Sequence, residues 1–94
     1  MSAHPEVSIV IPAHNEGNYL RATVDSVLSG RTVPVELVVV DDESTDESCD
    51  FLMKAPYKDA PIQLIKGKRS GSSSTRNTGA RNSRSDILVF LDAH

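Results

Sequence analysis

Ile87-Leu88-Val89-Phe90-Leu91-Asp92-Ala93-His94 closes this 94-residue chain and decides how the rest of it is read. Five apolar residues in succession, β-branched and aromatic ones among them, predict a strand buried on both faces. Asp92 and His94 follow it two positions apart, and in an extended segment such residues point to the same side. Both are metal-ligand types. At the carboxyl end of a buried parallel strand they occupy the edge where open α/β sheets bind ligands. The remaining residues are expected to form the cradle for what that pair holds.

Upstream, strands and helices alternate. Residues 7–12 predict a first strand, ended by Pro12. Leu20, Val24, Val27 and Leu28 fall on one face of a 3.6-residue period, which predicts a helix over 19–29 with Asn18 as N-cap and Gly30 after its end. Residues 35–40 predict a second, nearly continuous apolar strand, with Asp41 and Asp42 at its carboxyl end. Ser44 and Glu47 have capping-box spacing and predict a helix to about Lys54, with Cys49, Leu52 and Met53 inward. Residues 62–66 predict a third, more exposed strand. After a Gly/Ser-rich loop over 67–74, a helix over 75–83 would turn Thr75, Thr78, Gly79 and Asn82 inward. All four are small or polar, so such a helix can lie close to a sheet. Alternation throughout predicts an α/β fold with an open, mostly parallel, doubly wound sheet and right-handed crossovers. One domain is expected over residues 7–94, preceded by a flexible lead over 1–6.

The totals exclude several classes. A formal charge of −3 gives no basic field, so nucleic acid is not an expected partner. A single cysteine cannot form an internal disulfide, and no apolar run approaches the length of a membrane span. The start has neither the basic region nor the apolar core of a signal peptide. A cytoplasmic location is expected, with membrane attachment of a parent protein left open.

Four features fall after predicted strand ends: Pro12-Ala13-His14-Asn15-Glu16, Asp41-Asp42, Arg76 within the 71–79 segment, and Asp92-Ala93-His94. In a parallel sheet these ends share one edge. With Val7-Ser8-Ile9-Val10-Ile11 before the first, Val38-Val39-Val40 before the second and Thr75-Arg76-Asn77-Thr78-Gly79-Ala80 around the third, they resemble the nucleotide-sugar-binding half of a GT-A-fold glycosyltransferase, a Rossmann-like fold, and most closely family 2. The Asp-x-His ending is instead similar to the polypeptide N-acetylgalactosaminyltransferases. The resemblance spans residues 7–94. It implies strand order 3-2-1-4, a nucleotide-diphospho-sugar donor (a UDP-sugar if Asp42 accepts the uracil N3–H), a manganese or magnesium ion, and transfer to an acceptor hydroxyl.

The same resemblance distributes roles. Pro12, His14, Asn15 and Glu16 match the loop flanking base and ribose, with His14 where the family often carries a stacking aromatic. Arg76 matches an arginine that pairs with diphosphate or ribose, a guanidinium being suited to bidentate phosphate contact. Asp92 and His94 match the metal motif, and a histidine ligand favours manganese over magnesium. Each has a plainer reading: Asp42 as a carboxylate near a helix start, His14 as a solvated loop residue, Glu16 as a helix cap, Arg76 as a surface arginine. Asp41 is expected to be structural or a minor ribose contact, because neighbouring strand residues point oppositely. Glu43 departs from the family, which commonly has glycine there, and implies a less tight turn. The family's acceptor pocket and its acidic general base lie beyond the metal motif. The 94 residues therefore read as a fragment that binds donor without transferring it, and that self-associates through the surface truncation exposes.

Rival readings exist. Val38-Val39-Val40-Asp41-Asp42-Glu43 and Leu88-Val89-Phe90-Leu91-Asp92 also look like the acidic pair and phosphoacceptor strand of a receiver-type signalling domain, but residues 7–12 would then be an extra strand. A dinucleotide-binding domain lacks its Gly-x-Gly-x-x-Gly after the first strand. An interaction module without a ligand would use only the exposed sheet surface.

Overall fold

Apolar runs of β-branched residues form the centre of the sheet, and the helices that cover it are set by where those runs stop. The computed structural model describes residues 5–30, 32–67 and 71–92, without the Ser72 side chain. Elements follow in the order β1 (Val7–Ala13), α1 (Tyr19–Gly30), β2 (Val35–Asp41), two 3₁₀ turns (Asp50–Met53 and Tyr57–Asp59), β3 (Ile62–Lys66), α2 (Ser72–Arg81) and β4 (Ile87–Phe90). The four strands form one parallel sheet in the order β3-β2-β1-β4. The predicted sheet and its order are borne out. β1 and β2 each run one residue past their predicted ends, in register from Val7↔Val35 to Ala13↔Asp41. Pro12 lies beyond the last β4 pair, Val10↔Phe90, so its missing N–H leaves no gap in that ladder.

Alternation along β1 and β2 divides the core between two faces. Ile11, Leu37 and Val39 pack with Leu20 and Val24 of α1 and with Cys49, Phe51 and Leu52. On the other face Val10, Val38 and Val40 lie under α2, with Ile65 beside them. A Cβ on Gly79 would overlap Val10 Cγ1 and stand 3.3 Å from Val10 Cβ and Cγ2, so α2 rests on β1 at a distance only glycine permits. The small-residue face foreseen for this helix has that consequence. α2 itself starts at Ser72 and stops at Arg81, ahead of the predicted 75–83 at both ends.

A charged side chain is buried near the amino end of β2. Glu36 of β2 is 1% exposed. It accepts hydrogen bonds from Ser8 Oγ (2.6 Å), the Arg84 backbone N–H (2.6 Å), Gln63 Nε2 (3.0 Å) and Arg84 Nε (3.3 Å). Burial alone would raise this carboxyl, but the hydrogen bonds from Ser8, Arg84 and Gln63 outweigh it and hold it below the usual range. The network ties the start of β2 to the loop before β4. Nearby, the Ser85 hydroxyl donates to Pro5 O at 3.0 Å and the Glu6 N–H to Pro34 O at 2.8 Å. The flexible lead expected over 1–6 is thus corrected for Pro5 and Glu6, which are tied down. Residues 1–4 lie outside the described residues.

Two further expectations are corrected. The helix predicted from Ser44 to Lys54 is a loop followed by the Asp50–Met53 turn. Its capping box does not form, because Ser44 is engaged elsewhere: its N–H donates to Asp41 Oδ1 (2.9 Å) and its hydroxyl accepts from the Asn15 N–H (3.0 Å). Glu43 and Glu47 adopt φ of 56° and 62°, outside any right-handed helix. Cys49 and Leu52 are buried as expected, whereas Met53 is exposed. Second, β4 is not buried on both faces. Among the described residues it lies at the sheet edge with only β1 beside it, and Ile87, Leu88, Val89 and Phe90 are all exposed, up to 57% for Ile87. Among the described residues no helix is long and apolar enough to cross a membrane.

Candidate functional site

At the carboxyl edge of the sheet a cleft is lined by Pro12, Ala13, His14, Glu16, Asp42, Thr75, Arg76 and Asp92. Four separate segments contribute: the end of β1, the residue after β2, the first turns of α2 and the residues after β4. Six of the residues named from sequence line it together, namely Pro12, His14, Glu16, Asp42, Arg76 and Asp92. Asn15 does not line it. His94 lies outside the described residues.

The side near β1 and β2 is held by short hydrogen bonds. The Asp42 N–H donates to Ala13 O at 2.7 Å, and Asp42 O accepts from His14 Nδ1 at 2.7 Å. That contact places the imidazole proton on Nδ1, since a carbonyl only accepts. Asp42 is buried, and its Oδ2 accepts the Gly71 N–H at 3.3 Å. Glu16 Oε2 accepts the His14 N–H at 3.2 Å, and Glu16 O accepts the Tyr19 N–H at 3.2 Å at the start of α1. Asn15 turns away from the cleft. Its Oδ1 accepts from the backbone N–H groups of Thr45 (2.6 Å) and Asp46 (3.2 Å).

Asp41 points to the opposite face from Asp42, as strand alternation requires. Its carboxylate accepts from the Ser44 N–H and from Lys66 Nζ at 3.0 Å. Burial would raise this carboxyl, but hydrogen bonds from Ser44 and Lys66 hold it below its ordinary value, and Lys66 is raised in turn by the same bond. Cys49 lies nearby, 1% exposed, its thiol pushed up to about 11 by burial and by the negative charge of Asp41. These groups hold the 41–49 loop in place.

On the other side, Arg76 projects from the early part of α2 and meets Asp92 with Nη2 3.5 Å from Oδ1. Their side chains are 40% and 59% exposed. Thr75, one residue earlier, is 3% exposed and donates its hydroxyl to Gly71 O at 2.7 Å, which secures the start of α2. Sequence reasoning placed Thr75 on the buried face of its helix but not in the cleft. Its position immediately before Arg76 was the available signal, since the first turns of a helix over a sheet edge face that edge.

A divalent ion suits this donor set only as a shared ligand. Among the described residues no three His, Cys, Asp or Glu side chains come together as a metal site. Asp92 is an accessible carboxylate already facing a cation, and one or two carboxylates complete a magnesium or manganese shell when substrate phosphates supply the rest.

Comparison with known proteins bears on what such a cleft binds. The family model described as Glycosyl transferase family 2 matches residues 8–94. The glycosyltransferase GlyA of Streptococcus pneumoniae is 32% identical over 93 residues, covering 99% of this chain and 13% of GlyA. The mannosyltransferase PcManGT of Pyrobaculum calidifontis, solved with GDP-Man and Mn2+, superposes with a TM-score of 0.85 at 26% identity, over 98% of this chain and 28% of that one. S. aureus TarS 1-349 in complex with UDP-GlcNAc gives a TM-score of 0.80 at 25% identity, over 94% of this chain and 26% of that one. The chain thus spans well under half the length of each of these proteins.

Proposed function

Because the chain belongs to glycosyl transferase family 2, we propose that it is the donor-binding part of a glycosyltransferase that moves a sugar from a nucleotide-diphospho-sugar to an acceptor hydroxyl. The observation that carries this reading is the convergence of His14, Asp42, Arg76 and Asp92 on one cleft from four segments of the chain. Parallel pairing brings these strand ends to one edge, and that edge is where open α/β sheets bind ligands. The receiver-type reading of Asp92 is set aside with the family.

The Asp42 carboxylate can accept the N3–H of uracil, whereas cytosine presents a lone pair at that position and is repelled. Guanine also presents an N–H to a carboxylate, so the preference for a UDP-sugar rests on the smaller base. The His14 ring, fixed through Nδ1, offers a face for stacking. Arg76 is placed to exchange Asp92 for a diphosphate oxygen, a charge-assisted contact of the same kind. Asp92 and His94 are the residues that would hold manganese or magnesium, which when bound offsets charge on the leaving diphosphate.

Calorimetric titration of UDP into the folded chain, with and without manganese, tests the reading. Binding that requires manganese and disappears in Asp92→Ala is expected, with GDP weaker than UDP. Absence of binding of both UDP and GDP by a chain shown to be folded would overturn it. GDP binding more tightly would overturn the uridine assignment alone.

A further inference from the structure

His14 and Asp42 belong to different loops. The Asp42 N–H to Ala13 O bond and the His14 Nδ1–H to Asp42 O bond join them directly at the end of the β1–β2 pairing, and most of the other hydrogen bonds across the gap meet at one residue. Asn15 has φ 51°, a left-handed conformation that Asn tolerates better than most residues. Its Oδ1 accepts from the Thr45 N–H (2.6 Å), the Asp46 N–H (3.2 Å) and the Thr45 hydroxyl (3.3 Å). Its own N–H donates to Ser44 Oγ. With Oδ1 occupied by three donors, the amide NH₂ is the group that faces His14, and Nδ2 lies 3.4 Å from Nε2. The His14 Nδ1–H donates to Asp42 O, which leaves the lone pair on Nε2 for Asn15. Donors and acceptors alternate without conflict from the 45–46 backbone through Asn15 and His14 to Asp42. One residue on, the Gly17 N–H donates to Asp46 Oδ2 at 3.1 Å and closes the same gap.

We infer that Asn15 is a positioning residue for nucleobase recognition, holding the His14 ring in its place against Asp42 O although it does not line the cleft. The inference rests on the donor-binding reading. Asn15 is exposed, so water can replace its partners in the folded chain when it is removed. Its loss therefore acts less on stability than on preorganisation, where each freed group must be reordered when ligand binds. Only the half of the cleft that reads the base should respond.

Two variants and two ligands isolate this. Asn15→Gly removes the side chain while accepting positive φ without strain. Asn15→Asp keeps an acceptor oxygen and also tolerates that φ. UDP reads the whole cleft, and inorganic pyrophosphate with magnesium reads the phosphate half. In Asn15→Gly, UDP affinity is expected to fall about tenfold, the scale of one lost hydrogen-bonded anchor, with pyrophosphate changed less than about twofold. Asn15→Asp is expected to recover the part of the UDP affinity that depends on the oxygen accepting from Thr45 and Asp46, but not the part that depends on the Nδ2 donor to His14 Nε2. Unchanged UDP binding in Asn15→Gly, an equal loss of both ligands, or no recovery in Asn15→Asp would each overturn the inference. A wild-type chain that binds neither ligand would overturn the donor-binding reading itself, and the inference with it.

Discussion

On one side of the cleft His14 and Asp42 are fixed by bonds of 2.7 Å to backbone groups, and Asp42 is 6% exposed. On the other, Arg76 and Asp92 meet through a single contact of 3.5 Å with both side chains largely in water. An exposed pair of that kind contributes about 0–1 kcal/mol. The His14–Asp42 side, proposed to read the base, is therefore built before ligand arrives, while the Arg76–Asp92 side, proposed to meet the phosphates, is held only loosely and can change partners at little cost. Rigid recognition and exchangeable charge are separated by the width of one strand, because β1 lies between β2 and β4.

Breaking each side should leave a different signature. Asp92→Ala is expected to weaken manganese-dependent UDP binding at least about 100-fold, the upper range for loss of a metal-site contact. Asp42→Ala should instead narrow the preference for UDP over CDP while binding stays manganese-dependent. Calorimetry on both variants distinguishes these signatures, and identical behaviour would dissolve the distinction between the sides.

The next largest effect concerns the platform for Arg76. Gly79→Ala forces a Cβ into Val10 and should lower stability by about 2 kcal/mol, read as a reduced urea midpoint. Wild-type stability in that variant would mean that α2 sits on β1 less closely than the geometry requires.

At the far end of the sheet, Glu36→Gln is expected to lower stability by about 1–2 kcal/mol near neutral pH, since one oxygen that accepts hydrogen bonds becomes a donor. The pH dependence has a definite sign. Glu36 and Asp41 both titrate below their ordinary values of 4.5 and 3.8 in the folded chain. Their contribution is fully present above those values and is lost as pH falls through the lower folded ones. Chemical denaturation from pH 6 to pH 3 should show stability falling with acid, and Glu36→Gln should flatten that fall. The smallest expected change is a gain. Glu43→Gly relieves a left-handed residue and should add about 0.5 kcal/mol, after allowing for glycine's freedom in the unfolded chain.

Elements that depend on local pattern were legible in the sequence. The apolar runs of β1 and β2 gave their own ends to within one residue, and alternation with helices led to the sheet. The strand order came from the family resemblance rather than from the runs. The 44–54 segment failed because its determinants are distant. Ser44, Thr45 and Asp46 bond to residues 29–31 positions away, across a gap that only the parallel pairing of β1 with β2 creates. A capping box cannot form when its serine is already committed. β4 misled for a related reason: an apolar run fixes extended structure, but burial depends on what lies beside the strand. The site residues were legible as strand-end positions. That Asn15 faces the 45–46 backbone rather than the cleft was not, because a side chain's partner across two loops leaves no trace in spacing.

Cys49 turns the interlocked loops into a clock. Its thiol is the only one in the chain, lies 1% exposed and is pushed up to about 11. Near neutral pH little of the thiol is ionised, and its burial shields it as well. An alkylating reagent can then react at an appreciable rate only after the 43–54 segment swings open. The rate of labelling in native buffer counts those openings directly, without any added dye or mutation.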